Sequence, residues 1–128
     1  MLQVTAGPSI QKGRALRKIA AIDIGTNSTH LLVASIDPEL RTFSIELAEK
    51  STTRLGERDP ETGNLSEAAI ERGLEALRRF RELALSHQVE QIVTAATSAV
   101  REAPNGRDFL QEIQDQFDLE VDLVSGPE

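Results

Sequence analysis

The chain has 128 residues, 39% of them hydrophobic and 27% charged, with a formal net charge of −7, four phenylalanines, no tryptophan and no cysteine. That length supports one modest domain whose core must rest on Leu, Ile, Val and Ala. The lack of cysteine excludes a disulfide framework, a thiolate zinc site and a cysteine nucleophile, and the net acidity argues against nucleic-acid binding through a broad basic surface. It leaves room for a polyanionic substrate, because a metal and a few local arginines can outweigh the global field. No window approaches ~18 consecutive apolar residues, and the N-terminus has no apolar signal core, so the expectation is a cytoplasmic protein with no membrane span.

Residues 1–17 read as a flexible tail and 18–128 as the domain. Gly7, Pro8 and Gly13 interrupt any periodicity, and Lys12, Arg14, Arg17 and Lys18 cluster just before the first strand. Terminal segments of this kind are commonly solvated lead-ins. Ile19 to Ile24 is an apolar run broken only by Asp23, and Leu31 to Ala34 is another; Gly25, Thr26, Asn27 and Ser28 form the turn between them. Asp23 is expected at the end of a buried strand, where a carboxylate needs a metal, a donor or water nearby. Glycine lets backbone approach a ligand, and successive turn N–H groups can form an anion-binding concavity. An ordinary hairpin with an Asx-type turn fits the same residues.

Asp37-Pro38-Glu39 marks the next turn. Arg41 to Ser51 alternates as a third strand, with Phe43, Ile45 and Leu47 expected on one buried face. Thr52 to Leu65 is a polar connection, long enough to be a functional loop, and carries Arg54-Leu55-Gly56. Ser66 is a good N-cap for a helix from Glu67 to Leu85, with an apolar stripe at Ile70, Leu74, Leu77, Phe80 and Ala84. Glu75–Arg79 and Arg78–Glu82 are candidate i, i+4 pairs on its wet side. Val89 to Ala95 reads as a strand leading into the small-residue segment Ala96-Thr97-Ser98-Ala99-Val100-Arg101. Asn105 is positioned to cap a second helix that buries Phe109, Leu110, Ile113 and Phe117. Leu119 to Val124 alternates as a last strand. His30 reads as packed or hydrogen-bonded and His87 as exposed.

Three leading strands followed by helix, strand, helix, strand imply an α/β fold: an antiparallel meander extended by a parallel part. Ligands of such sheets sit beyond the strand ends. The Gly25–Ser28 turn, the Thr97–Arg101 segment and Ser125–Glu128 should therefore share one rim.

With these pieces in order, the sequence from about Lys18 to Glu128 resembles the exopolyphosphatase/guanosine pentaphosphate phosphohydrolase (Ppx/GppA) family, within the acetate and sugar kinase/Hsp70/actin superfamily. The resemblance is carried by Ala21-Ile22-Asp23-Ile24-Gly25-Thr26-Asn27-Ser28-Thr29-His30-Leu31-Leu32, Arg54-Leu55-Gly56, Gly63-Asn64-Leu65-Ser66 with Arg72, Thr94 through Ala103, Asn105 with Phe109, and Val124-Ser125-Gly126-Pro127-Glu128. It implies a ribonuclease H-like (actin-like ATPase) half-domain with a mixed five-stranded sheet. It also implies Mg²⁺-dependent hydrolysis of a terminal phosphoanhydride of polyphosphate or guanosine pentaphosphate, with a homodimer among the expectations for the full-length protein. By this comparison Asp23 helps to hold Mg²⁺ through water, Gly25, Thr26, Asn27 and Ser28 face phosphate, and Arg101 clamps phosphate oxygens; apart from it, Thr97 and Ser98 read equally as hydroxyls offered to phosphate and as small residues that permit close packing.

One departure qualifies the comparison. The family's water-orienting glutamate is the second of a Gly-x-Glu-Glu-Ala pattern. Here Gly126-Pro127-Glu128 matches only the first, so that base is expected just after Glu128. The second phosphate loop, Asp-Ile-Gly-Gly-Gly-Ser, and the second half of the fold are not among these residues either. The expectation is an N-terminal fragment that lacks turnover alone. Two other readings are open: a non-catalytic nucleotide- or phosphate-binding module, and a kinase of the same superfamily.

Overall fold

The computed structural model describes residues 16–124. Lys12 and Arg14 of the basic cluster and the Ser125–Glu128 motif lie outside the described residues. The elements run β1 (Arg17–Ile24), β2 (Thr29–Asp37), β3 (Thr42–Ser51), α1 (Glu67–Ser86), β4 (Gln91–Ala96), α2 (Ser98–Glu102), α3 (Gly106–Phe117) and β5 (Val121–Leu123). They form a five-stranded sheet in the order β3-β2-β1-β4-β5. The first three strands make the antiparallel meander, while β4 runs parallel to β1 and β5 parallel to β4.

The period-2 pattern of β1 and β2 sets the layering. Ala20, Ile22, Ile24, Leu31 and Val33 are buried on one face, where the helices contribute Ala69, Leu77, Phe80, Ala84, Phe109, Ile113 and Phe117. Phe80 and Phe109 are the bulkiest side chains of this core, each about wholly enclosed, and burial of such a ring contributes roughly 1.5–3 kcal/mol. The opposite face has no helix among the described residues. There Leu32, Phe43, Ile45 and Val93 remain 39%, 68%, 47% and 42% exposed.

Helix α1 starts as its sequence implies: the Ser66 hydroxyl accepts from the Ala69 N–H at 3.1 Å. Its buried stripe is rotated from the expected one, however. Ala69, Gly73 and Ala76 are enclosed with Leu77, Phe80 and Ala84, whereas Ile70 and Leu74 lie at the edge of the core. Small residues face the densest packing because α3 crosses there: a Cβ on Gly73 would lie 3.0 Å from the Phe109 ring. The expected charge pairs also differ. Arg78 bonds Glu75 one turn back at 2.6 Å, and Arg79 reaches across to Glu49 of β3 at 3.4 Å.

Strand β3 corrects a second expectation. Val33 pairs with Leu47 but Ala34 pairs with Ile45, so Glu46 is an extra residue in a β-bulge. Directly paired residues share a face, so the bulge reverses the alternation. Leu47 joins the core with Val33, while Ile45 and Phe43 turn to the open face. Downstream, β4 and β5 begin two residues later than their patterns suggest, and α2 is a turn of helix formed by the small-residue segment. Asn105 occupies the N-cap position of α3 without a side-chain capping bond. Its amide instead pairs with the Leu65 backbone, accepting from the N–H at 2.8 Å and donating to the carbonyl at 3.3 Å.

Candidate phosphate-binding rim

The β1–β2 turn is a tight, fully determined structure. Gly25 N–H donates to the Ser28 carbonyl at 3.0 Å, and a Cβ on Gly25 would lie 2.8 Å from that same oxygen, so no larger residue fits. Two more of the turn's carbonyls are engaged: Thr26 O accepts from Gly56 N–H and Asn27 O from Arg54 N–H, each at 3.0 Å. With the oxygens turned into these bonds, the N–H groups of Thr26, Asn27 and Ser28 donate to no acceptor among the described residues. Thr26 and Asn27 are exposed. Successive uncommitted N–H groups on one short turn are the makings of an anion-binding concavity.

Asp23 stands beside this turn, on the open face of the sheet and not inside it. The strand ends among buried neighbours, Ile22 and Ile24, but alternation directs the carboxylate the other way, and it is exposed. The expectation of a buried carboxylate is thus corrected. Among the described residues Asp23 makes no hydrogen bond or ion pair. The ladder sets it directly opposite His30 of β2, and His30 opposite Lys50 of β3. Across the other side Asp23 pairs with Ala95, and Ala95 with Asp122. His30 is exposed and takes part in no hydrogen bond among the described residues, which corrects its reading as a packed histidine. Directly opposite side chains have Cβ atoms about 4.5–5.5 Å apart. A row Lys50, His30, Asp23 therefore runs along this edge of the open face, which periodicity within each strand does not reveal.

The parallel pairing of β4 with β1 brings in the second segment. Thr97 N–H donates to the Ile24 carbonyl at 3.2 Å, which seats Thr97 next to Gly25. Its hydroxyl makes no capping bond to α2. Arg101 follows in α2, half-buried, with its guanidinium donating to the Val124 carbonyl just past β5. The structure thus unites Asp23, Gly25, Thr26, Asn27, Ser28 and Thr97 closely, with Arg101 one helical turn beyond Thr97.

The 52–65 connection ties the two segments together, a role its polar composition alone did not disclose. The Thr53 and Thr29 hydroxyls bond to each other at 2.9 Å in a buried position. Gly56 packs closely on the turn: a Cβ there would come within 2.8 Å of the Thr26 methyl. Arg72, from α1, donates to the Thr53 and Arg54 carbonyls at 2.8 and 3.4 Å and to Glu57 at 2.9 Å. This guanidinium and the Ser66 hydroxyl hold the Glu57 carboxyl below its ordinary pKa. On the other side Arg58 donates to the Ala99 and Gly63 carbonyls at 2.7 and 3.2 Å, and Asn105 secures Leu65.

The rim is an open surface. Hollows of about 470 and 720 Å³ lie elsewhere, one bordered by Arg81, Leu85 and Gln91, the other by Thr52, Arg72 and Arg79. Among the described residues there is no group of three His, Cys, Asp or Glu side chains able to hold a metal. A single carboxylate suits Mg²⁺ nonetheless, since that ion keeps several waters and binds through one or two carboxylates plus phosphate oxygens. Asp23, exposed and without a partner among the described residues, fits such a ligand. No described helix is long and apolar enough to cross a membrane.

Comparison with known proteins agrees with this fold. Residues 32–128 match the Ppx/GppA phosphatase family. The chain is 38% identical over 93 residues to exopolyphosphatase 2 of Mycobacterium tuberculosis, covering 71% of this chain and 29% of that protein. It is 36% identical over 110 residues to a guanosine-5'-triphosphate,3'-diphosphate pyrophosphatase of Aeromonas hydrophila, covering 85% of this chain and 22% of that one. The crystal structure of the Aquifex aeolicus Ppx/GppA family member superposes with a TM-score of 0.80 at 33% identity, over 86% of this chain and 35% of the other. The chain spans between 17% and 36% of the length of the relatives and structures of this family that it matches. The five-stranded α/β half-domain is that of the matched structures, and the chain belongs to the Ppx/GppA phosphatase family.

Proposed function

We propose that this chain is the phosphate- and metal-gripping part of a Mg²⁺-dependent phosphohydrolase that cleaves terminal phosphoanhydrides of polyphosphate or guanosine pentaphosphate. The observation that carries the reading is the placing of three N–H groups, on Thr26, Asn27 and Ser28, next to the Asp23 carboxylate, none of them with a hydrogen-bond partner among the described residues. A carboxylate repels phosphate unless a cation lies between them. A phosphate seated on the turn would take hydrogen bonds from the N–H groups and from the Thr97 hydroxyl, and Arg101 would supply positive charge. When bound, Mg²⁺ neutralises charge on the phosphate oxygens and on the leaving group. Phosphoryl transfer depends chiefly on such positioning and charge stabilisation. Asp23 would orient the metal's water shell, and the turn would fix the terminal phosphoryl group for in-line attack. On this reading the water-activating carboxylate comes from the residue following Glu128.

The test is phosphate release from polyphosphate and from guanosine pentaphosphate with Mg²⁺, by a chain extended past Glu128 through the family's second half and by its Asp23→Asn variant. The expected result is a loss of roughly a hundredfold or more in turnover, in line with removal of a charge-stabilising group, with an unchanged melting temperature. Full activity in Asp23→Asn would overturn the role given to that residue. Absence of any hydrolysis by the extended wild type would overturn the function.

A further inference from the structure

We infer that Arg54 is a further ligand-binding residue of the rim, gripping a second phosphate group of a condensed phosphate whose terminal group occupies the Gly25–Ser28 turn. This inference rests on the phosphate-binding reading above and extends it to a residue outside the first turn and the Thr97–Arg101 segment. It is carried by three observations of different kinds.

The first is position. Arg54 N–H bonds the Asn27 carbonyl at 3.0 Å, so the Arg54 backbone lies directly alongside the turn, on the β2–β3 side. Arg101 approaches from the β4 side. An arginine side chain is long enough to reach past the turn's edge, so a chain of phosphates leaving the turn on that side would meet its guanidinium. Bidentate contact with phosphate oxygens is the interaction for which that group is shaped.

The second is the fate of the neighbouring cations. Three arginines stand in or against the 52–65 connection. Arg72 is consumed by the Thr53 and Arg54 carbonyls and Glu57, and Arg58 by the Ala99 and Gly63 carbonyls. Arg54 alone of the three is exposed, with no hydrogen-bond partner for its guanidinium among the described residues. Its carbonyl is held by Glu57 N–H and by Arg72, so the backbone is fixed, while its guanidinium is exposed and lies within charge range of the Glu57 carboxylate without hydrogen-bonding it. Arg72 thus immobilises the backbone that presents Arg54, and Arg58 ties the far end of the same connection to α2.

The third is conformation. Arg54 has φ of +50°, a left-handed geometry that costs an L-residue energy and that glycine or asparagine adopts more readily. Arg41, Gln88 and Asp118 share a positive φ, but they sit in a hairpin turn or where a helix ends, sites where it is common. At Arg54 no helix ends, and a long cationic side chain is kept at a cost. An observed outlier of this kind points toward function.

The experiment is calorimetric titration of the 128-residue chain with Mg²⁺ and tripolyphosphate, comparing wild type with Arg54→Gln, Arg54→Lys, Arg54→Gly and Asp23→Asn. Arg54→Gln should weaken binding about tenfold, the scale of one lost charge-assisted hydrogen bond, and Arg54→Lys should restore part of that. Arg54→Gly should weaken binding as much while leaving the melting temperature equal or higher, because glycine relieves the positive φ; a residue of merely structural importance would not separate the two readouts. Wild-type affinity in Arg54→Gln and Arg54→Gly, with binding lost in Asp23→Asn, would overturn the inference and leave the phosphate-binding reading intact. No binding by the wild type would overturn both.

Discussion

The two ends of β1 carry charges of opposite fate. At its start, Arg17 bonds Glu90 at 2.6 Å, while Lys18 and His87 converge on Glu46 at 3.5 and 3.2 Å. Each charge there is answered by another, and the cluster fastens the end of α1 to the β3 bulge. At the other end Asp23 and Arg54 are left exposed, and hydrogen bonding is spent on the backbone around them. Thr53, Gly56 and Arg72 hold the turn and its neighbouring loop. The contrast separates two uses of polar residues on one sheet: charges that pair serve attachment, and charges held apart by a saturated backbone are available to a ligand.

The hardest way to break both ends at once is through the core they share. Phe80→Ala empties the space beneath both and should cost about 3–5 kcal/mol, seen as a lower denaturant midpoint with loss of tripolyphosphate binding. A narrower cut is Thr53→Val. It strands the buried Thr29 hydroxyl, so a loss of about 1–3 kcal/mol is expected, with weaker tripolyphosphate binding because the loop no longer braces the turn. Stability loss with undiminished binding would show that the loop does not shape the site.

The smallest effect is expected at the start of β1 and appears in pH dependence. The His87 hydrogen bond, aided by Lys18, holds the Glu46 carboxyl below its ordinary pKa, and Arg17 does the same for Glu90. A depressed folded-state pKa means stability that is present above the ordinary carboxylate range and lost as pH falls through the depressed value. Thermal unfolding should therefore show an acid limb below about pH 4, the ordinary range of glutamate. Glu46→Gln should flatten that limb without altering tripolyphosphate binding at neutral pH. An unchanged limb would mean that this cluster does not couple to folding.

Much of the fold was legible because its signals are local. The apolar runs on either side of Gly25–Ser28, the Ser66 cap and the spacing of Phe109, Ile113 and Phe117 each report the backbone around them. The turn and the Thr97–Arg101 segment could be named as rim elements for the same reason. Where local signals misled, a partner from elsewhere in the chain had intervened. Asn105 was read as a cap, but the Leu65 backbone claims its amide. His87 was read as exposed, but Glu46 meets it where the helix ends, leaving it half-buried. Ile45 and Leu47 were assigned one face, and Glu46, bulged out of the ladder between them, sets them on two.

The sequence by itself therefore determined the strands, the two longer helices, their order and the Gly25–Ser28 turn, since periodicity and turn chemistry act over a few residues. Only the tertiary structure decided which way Asp23 faces, which carbonyls of the turn are tied up and which N–H groups remain, and that Arg54 stands against Asn27. These follow from strand register and from hydrogen bonds between residues far apart in the chain, and a shift of one residue in register would reverse them.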